Sequence, residues 1–391
     1  MLARQRASLK FVLVIGVLSF FADCTYEGAR SITGPFLGLL GASAFTISAV
    51  AGVGELLGHA WRLASGTLSE ITRKFWPITI VGYTVQMVAV PLLAFARTWQ
   101  EAAALIILER VGRATRNPPR DVMLSVAAEE IGYGWAFGVH EALDQSGALA
   151  GPLIIAAILA TQGAYQQAFA VLVVPALTCL FLLCIARIIY PRPETLASRT
   201  LEVRTRGIPP LFWLYLSGAI LVAAGFADFS LISYRFHTEL PVSNGFLPVF
   251  YAIAMAASGA GSLTFGRLFD RFGLVILVPL TVVAACATPL VFLGSFWLSV
   301  LGSALWGMSM GVHESIIPAA VSTMVAREHR ASAFGIFTAA YGVAWFAGSL
   351  VIGIFYTRSL VDLVAFCVAL QLIAVPIFIR VARRLRPQHR M

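Results

Sequence analysis

The chain has 391 residues, of which 59% are hydrophobic and only 12% are charged, and its mean hydropathy is +0.84. Soluble domains carry about 25% charged residues, so this composition excludes an ordinary soluble enzyme and predicts a protein built for lipid. The net charge of +9 does not indicate nucleic-acid binding, because the basic residues are scattered rather than gathered on one polar face.

Apolar segments long enough to cross a bilayer, which takes about 20 residues, recur along the whole chain. We predict an all-α membrane protein with twelve transmembrane helices. The predicted spans are 10–39, 44–67, 76–97, 100–127, 133–160, 166–189, 210–239, 246–267, 274–294, 297–325, 331–357 and 359–380. A polar stretch divides them into an N-terminal bundle (1–190), a cytoplasmic linker (191–209) and a C-terminal bundle (210–391).

Lysine and arginine fall mainly on alternate connections, near residues 4–10, 73–74, 187–206, 267–271, 327–330 and 380–390, while the opposite side carries Arg97 and Arg358. Because positive charge marks cytoplasmic loops, both termini are expected in the cytoplasm, with the protein in the plasma membrane. The basic N-terminus lacks a small-residue cleavage site, so the first helix is expected to be retained.

Span one carries Asp23, Tyr26, Glu27 and Arg30 at spacings that place them on one helical face. Two carboxylates one turn apart in a low-dielectric site resist ionising together, so one is expected to keep its proton. This behaviour suits proton coupling, for which Asp23 and Glu27 are candidates, while Tyr26 and Arg30 are substrate-binding candidates. The alternative is that Arg30 neutralises Glu27 and the group merely fixes helix packing.

Span two adds Glu55 as a further candidate for proton coupling, with His59 one turn away on the same face.

Span four contains the stretch ERVGRATRNPPRD, from Glu109 to Asp121. Arginine is costly at bilayer depth and marks a pathway or a binding site. Two interpretations stay open: an ion-pair network tying spans one, four and five, or a guanidinium that receives an anionic substrate group. The substrate-binding candidates in this span are Arg110, Arg113, Arg116 and Asn117.

Span five places His140, Asp144, Gly147 and Gly151 along one stripe, and Glu141 lies beside it. Small residues let a neighbouring helix approach closely, so the stripe is expected at the interface between the halves or at a cavity beside it. Glu141 and Asp144 are proton-coupling candidates, and His140 is a substrate-binding candidate. The alternative is that His140 and Asp144 form a structural pair with each other.

In the second half, His313 and Glu314 of span ten are substrate-binding candidates, as are Tyr341 and Trp345 of span eleven. The two aromatic side chains would form a wall of the site, although such spacing also suits ordinary packing.

The two halves of the sequence share an internal repeat. AFGVHEALDQSGALAGPL from Ala136 aligns with AFGIFTAAYGVAWFAGSL from Ala333, and Gly66–Glu70 aligns more weakly with Gly266–Asp270. The repeat predicts two pseudo-symmetric six-helix bundles, with ion chemistry concentrated in the first.

These features resemble the major facilitator superfamily. GRLFDRFG, from Gly266 to Gly273, is similar to the family's G-x-x-x-D-R-x-G loop, and GTLSEITRK is a degenerate first-half copy without one glycine. The resemblance implies a cytoplasmic gate formed by Glu70, Arg73, Gly266, Asp270 and Arg271.

Span five also resembles the antiporter motif of exporting family members, through Gly138, Gly147, Gly151 and Pro152. The final Gly-Gly of that motif is replaced by Ile155 and Ala156. Arg110 is similar to the family's arginine of span four. The resemblance implies export.

The sequence therefore predicts a secondary transporter that works by alternating access and exports a small organic molecule. Protons are the expected coupling ion, the protein is expected to be a monomer, and no metal or cofactor is predicted. It lacks a G-x-x-x-x-G-K-[ST] phosphate loop. The alternatives are uptake or facilitated passage of an organic anion, and a non-transporting membrane sensor. No enzyme activity is expected, since H-E-x-x-H is absent.

Overall fold

A computed structural model describes residues 2–162, 164–191, 208–325 and 329–385 of the protein. These residues form fifteen α-helices. The helices are α1 (Leu2–Arg30), α2 (Thr33–Leu39), α3 (Ala44–Thr72), α4 (Phe75–Leu92), α5 (Trp99–Ile131), α6 (Tyr133–Gln162), α7 (Tyr165–Val171), α8 (Val173–Ile189), α9 (Pro210–Ala224), α10 (Phe229–Glu239), α11 (Leu247–Phe272), α12 (Leu277–Leu293), α13 (Phe296–Met324), α14 (Arg330–Arg358) and α15 (Leu360–Leu385).

The predicted all-α architecture is confirmed, and each predicted span coincides with one helix or with two consecutive helices. Within the described residues, nine segments are long and apolar enough to cross a membrane. α3, α5 and α13 are not among them, so the number of twelve spans stays a prediction. The predicted linker falls largely on residues 192–207, which lie outside the described residues.

The first span of each half is broken, which the hydropathy pattern did not predict. α1 and α2 are separated by Ser31 and Ile32, and α9 and α10 are separated by 225–228. A break at membrane depth requires partners for the freed backbone groups. Asp228 supplies one of them, because its carboxylate accepts a hydrogen bond from the Ser230 backbone N–H at 2.8 Å.

The chain forms two compact units. Unit 1 comprises Met1–Gly41, Leu57–Thr200 and Val242–Ala252, and unit 2 comprises Ala42–Leu56, Leu201–Pro241 and Ile253–Met391. The start of α3 thus packs with the C-terminal helices, where the Ser48 hydroxyl donates to the Ser349 carbonyl at 2.6 Å. The single helical turn just before α11 (Asn244–Phe246) packs with α6 of unit 1.

The internal repeat is visible in the packing within each unit. In unit 1, α1 packs on α6 and α8; in unit 2, α9 packs on α14 and α15. Gly151 and Gly348, which the repeat aligns, meet the backbone of α1 and of α9 so closely that a Cβ would overlap the carbonyls of Cys24 and Ala224. Both units therefore use a small residue to bring the same pair of helices together.

The α1–α6 contact yields a prediction with a control inside the same motif. Gly151→Ala should lower the stability of the solubilised protein by about 1–3 kcal/mol, because backbone must move to admit the methyl group. Gly138 has open space around a Cβ, so Gly138→Ala should be neutral or slightly stabilising through its higher helix propensity. Thermal unfolding in detergent measures both, and equal melting temperatures for the two variants would contradict the tight crossing.

The connections after α3 and α11 share a backbone feature. Arg73 has φ 54°, and Gly273, at the corresponding position of the weak repeat, has φ 64°. Glycine enters this left-handed region without steric cost and commonly ends a helix. Arg73 therefore stands where the degenerate first copy lacks its glycine, and it adopts the glycine conformation nonetheless.

Substitutions at Arg73 and at Gly273 should have opposite effects on stability. Arg73→Gly should raise the free energy of unfolding by about 1 kcal/mol, whereas Gly273→Ala should lower it by a similar amount, because only glycine avoids the left-handed penalty. Denaturant titration of the solubilised protein reports the sign. A destabilising Arg73→Gly would show that the arginine side chain contributes more than its backbone costs.

Candidate functional site

Unit 1 buries a cluster of charged side chains on α1, α5 and α6. Its members are at most 8% exposed, although each is charged or titratable: Asp23, Glu27, Arg30, Glu109, Arg110, Arg116, Arg120 and His140. Charges placed in a low-dielectric interior require partners, so the pairing within the cluster decides what it can do.

Arg116 is the most deeply buried of them, with 1% exposure. Its Nε donates to the Gln86 side-chain oxygen at 2.5 Å, and its Nη1 donates to the Tyr83 hydroxyl at 2.9 Å. Its Nη2 lies 3.6 Å from an Asp23 carboxylate oxygen. Every guanidinium nitrogen therefore faces a polar partner, and the arginine ties α5 to α1 and α4.

A close helix crossing places Arg116 against its partners. A Cβ at Gly82 of α4 would overlap the Arg116 backbone, and a Cβ at Gly112 of α5 would overlap the Gln86 backbone. The two glycines therefore let α4 and α5 approach until Tyr83 and Gln86 reach the guanidinium. Gln86 also donates to Glu109 at 2.8 Å, so it bridges a cation and an acid.

Tyr26 of α1 lies beneath three arginines. The guanidinium carbons of Arg113, Arg110 and Arg30 are 4.4, 5.4 and 5.9 Å from the centre of its ring, and the Arg30 Nη1 donates to its hydroxyl at 3.1 Å. Cation–π attraction of this kind strengthens when water is excluded. The ring thus stabilises positive charge on the face where span one was predicted to bind substrate.

Glu27 is held by a residue from the second half of the sequence. The Tyr251 hydroxyl donates to its carboxylate at 2.5 Å, and both side chains are buried. Tyr251 lies on α11, within the Val242–Ala252 segment that belongs to unit 1. Sequence analysis did not single it out, because nothing in an apolar span indicates which distant helix it meets.

α6 brings further polar groups to α1. His140 Nε2 lies 2.9 Å from the Ser19 hydroxyl, and Asp144 is close enough to Asp23 for their charges to interact. Arg120 of α5 donates from Nε and Nη2 to Asp121 at 2.9 and 2.7 Å. The stripe of α6 therefore faces α1, with Gly147 and Gly151 setting the distance.

The other predicted candidates of the first half are less deeply buried. Glu55 is partly buried on the part of α3 that packs with unit 2. Glu141 is exposed and accepts a hydrogen bond from Gln145 at 3.0 Å, and Asn117 is partly buried with no hydrogen-bond partner for its oxygen among the described residues.

In unit 2, the Tyr341 hydroxyl lies 2.9 Å from His313 Nδ1. The His313 ring is 4.4 Å from Phe226 and 6.0 Å from Trp345, and all four side chains are buried. The predicted aromatic wall is therefore a packed group of rings around a histidine. Glu314 lies outside the residues whose side chains the structure describes.

The predicted gate residues lie at the ends of α3 and α11. Glu70 is partly buried, and desolvation raises its pKa. Arg73 and Arg271 are exposed, and Gly266 is partly buried. Asp270 lies outside the residues whose side chains the structure describes, so its pairing with the neighbouring arginine stays a prediction.

Sequence reasoning missed Tyr83, Gln86, Ser19 and Tyr251 as partners of the cluster. Two of them carried a usable signal, since Tyr83 and Gln86 are polar side chains inside the apolar helix α4, one residue and four residues after Gly82. The others become visible only when the helices are assembled.

A family model of the Major Facilitator Superfamily matches residues 15–349 and again 242–390. The chain belongs to this superfamily. It is 40% identical over 372 residues to an uncharacterized protein of Mycobacterium tuberculosis, covering 93% of this chain and 91% of the relative. It is 24% identical over 376 residues to an uncharacterized transporter of the superfamily from Methanocaldococcus jannaschii, covering 91% of this chain and 90% of the relative.

Solved transporter structures share the fold at low sequence identity. The nucleoside transporter NupG superposes with a TM-score of 0.75 at 14% identity, covering 97% of this chain and 100% of that one. A bacterial homologue of the lysosomal transporter Spinster gives 0.70 at 13% identity, covering 97% and 98%. The protein is therefore a multi-pass membrane transporter and not an enzyme.

The Arg116 network makes a stability prediction. Arg116→Gln should cost about 3–5 kcal/mol, because it leaves the buried Asp23 carboxylate without its partner. Arg116→Lys should restore little, since a single ammonium group does not reach acceptors arranged around a planar fork. Thermal unfolding in detergent measures these losses, with Arg97→Gln as a solvent-exposed control.

The double variant Asp23→Asn with Arg116→Gln separates pairing from packing. If the two charges stabilise one another, the double variant should be more stable than Arg116→Gln alone by about 1–3 kcal/mol, the size of coupling between residues in contact. Strictly additive losses would show that the 3.6 Å approach contributes no pairing energy.

Proposed function

We propose that this transporter is driven by protons and exports a small organic molecule, and that Asp23 is the principal proton carrier. The observation that best supports this proposal is that the buried Asp23 carboxylate lies 3.6 Å from Arg116 and close to Asp144 in unit 1. A nearby cation favours the ionised form of a buried carboxylate and a second acid favours the protonated form, and this competition is what coupling requires.

The chemistry follows from charge balance at Asp23. When Asp23 is ionised, it offsets the charge of Arg116 at 3.6 Å. When it takes up a proton, that offset is lost, and the guanidinium attracts another anion, either Asp144 or an anionic group of the substrate. Proton uptake at one carboxyl group thus changes how strongly the site holds its other partners, which is reciprocal coupling between two ligands.

The remaining features of the proposal follow the sequence predictions. Twelve helices form two six-helix bundles that work by alternating access, both termini are cytoplasmic, and the monomer resides in the plasma membrane. Export is favoured by the antiporter-like glycines Gly147 and Gly151, which support the α1–α6 contact where Asp144 meets Asp23. A helix crossing that holds two acids together lets a shift of one helix alter their proton affinity.

Transport in proteoliposomes tests the proposal. A pH gradient is imposed, and a panel of amphipathic cations and organic anions is screened with the parent protein, Asp23→Asn and Asp144→Asn. We expect gradient-dependent accumulation of a panel compound by the parent and loss of that dependence in Asp23→Asn, because an amide carries no exchangeable carboxyl proton. Asp362→Asn, at an exposed position at the start of α15, should leave transport unchanged.

The outcomes separate the competing functions. If a compound moves with equal rate in the presence and absence of the gradient, and Asp23→Asn is as active as the parent, the acidic cluster is structural and the protein is a uniporter. If anions accumulate in the direction of the proton flow, the alternative of organic-anion uptake replaces export.

A further inference from the structure

A buried arginine outside the unit 1 cluster has no role in the proposed function. Arg235 lies on α10 in unit 2, and its residue is 7% exposed. Its Nε and Nη1 are buried and have no hydrogen-bond partner among the described residues. Arg116 differs, because all three of its guanidinium nitrogens face acceptors or an acid.

The one charged partner of Arg235 within the described residues is Glu239, one turn further along the same helix. Its carboxylate oxygen lies 3.5 Å from Nη2, and its side chain is 41% exposed while that of Arg235 is 8% exposed. The Tyr356 hydroxyl of α14 also donates to the Glu239 carboxylate, at 3.3 Å. The ion pair thus connects a buried guanidinium to a carboxylate that water reaches.

This arrangement is incomplete as a structural ion pair. A guanidinium can donate five hydrogen bonds, and its desolvation is offset only where its remaining donors are satisfied. Here the contact with Glu239 is longer than a charge-assisted hydrogen bond, which is about 2.7–2.9 Å. The free donors have the charge and geometry to receive an oxyanion, for which arginine is the preferred side chain.

We propose that Arg235 is a binding site for an oxyanion, a carboxylate or a phosphate group, and that Glu239 is its displaceable internal counter-ion. The incoming anion takes the donors of Arg235, and the Glu239 carboxylate turns to water and to Tyr356. Aromatic rings border the site, since Tyr234 and Tyr356 lie 6.0 Å apart between their ring centres. An aromatic carboxylate therefore matches the residues present.

The site lies at the end of α10 that the predicted topology places outside the cytoplasm. It is separate from the Asp23–Arg116 cluster, which belongs to unit 1. Binding at Arg235 is measured without transport, so its failure would leave the proton-coupling proposal standing, and the reverse also holds.

The test is the melting temperature of the full-length protein in detergent with sodium benzoate or sodium phosphate, against sodium chloride at equal ionic strength. A ligand that binds the folded protein raises its melting temperature in proportion to occupancy. We expect a rise with at least one oxyanion in the parent and in Arg358→Gln, an exposed control at the end of α14, and no such rise in Arg235→Gln.

Glu239→Gln supplies the decisive comparison, because a structural pair and a binding site predict different results. If Glu239 competes for the guanidinium, its removal should lower the half-saturating oxyanion concentration by up to about fivefold, the factor by which a partly exposed ion pair competes. If the pair is structural, Glu239→Gln should lower stability and leave the oxyanion dependence of the melting temperature unchanged. This comparison holds even where Arg235→Gln does not fold.

The oxyanion can come from solution or from a lipid headgroup, and a second arm distinguishes them. The protein is placed in nanodiscs of phosphatidylcholine with or without phosphatidylglycerol. Stabilisation by phosphatidylglycerol that Arg235→Gln abolishes identifies a headgroup site, while stabilisation by benzoate or phosphate alone identifies a soluble ligand. Equal responses of the parent and Arg235→Gln in every arm would overturn the proposal.

Discussion

The buried charge of Arg116 is the constraint on which the rest of unit 1 depends. A guanidinium in a lipid-embedded protein keeps its proton and cannot be solvated by acyl chains, so the fold must supply its partners. Tyr83, Gln86 and Asp23 do so from two other helices. They reach it only because Gly82 and Gly112 let the backbones of α4 and α5 meet. The glycines of this helix pair therefore make the charge pairing of Arg116 possible by permitting the close approach.

The two units apply the same packing rule to different chemistry. α1 meets α6 and α9 meets α14 at glycines that the internal repeat aligns. In unit 1 the space beside this crossing holds Asp144, whereas the aligned position in unit 2 is Tyr341, which pairs with His313 among aromatic rings. Backbone proximity is thus common to both copies, and the side chains around it have diverged toward charge in one and toward aromatic contact in the other.

Hydropathy was sufficient to predict where the helices lie, because lipid imposes length and composition on every span. It did not predict the break after Ala224, since 225–228 contains no proline and remains apolar up to Asp228. For the candidate site, face sharing along single helices indicated Asp23 and Arg116 as important residues. Their partners Gln86 and Tyr251 depend on contacts between helices, which spacing within one helix does not encode. The sequence indicated the left-handed conformation of Arg73 only indirectly, through the glycine that the first-half loop lacks.

Tyr251 gives the acid cluster a physical connection beyond the first half of the sequence. Its hydroxyl holds Glu27 at 2.5 Å, and α11 continues as part of unit 2 from Ile253, two residues further on. The ionised carboxylate is the stronger acceptor for a phenol, so a proton on Glu27 weakens this bond. A change of protonation at Glu27 therefore alters how firmly the start of α11 is held.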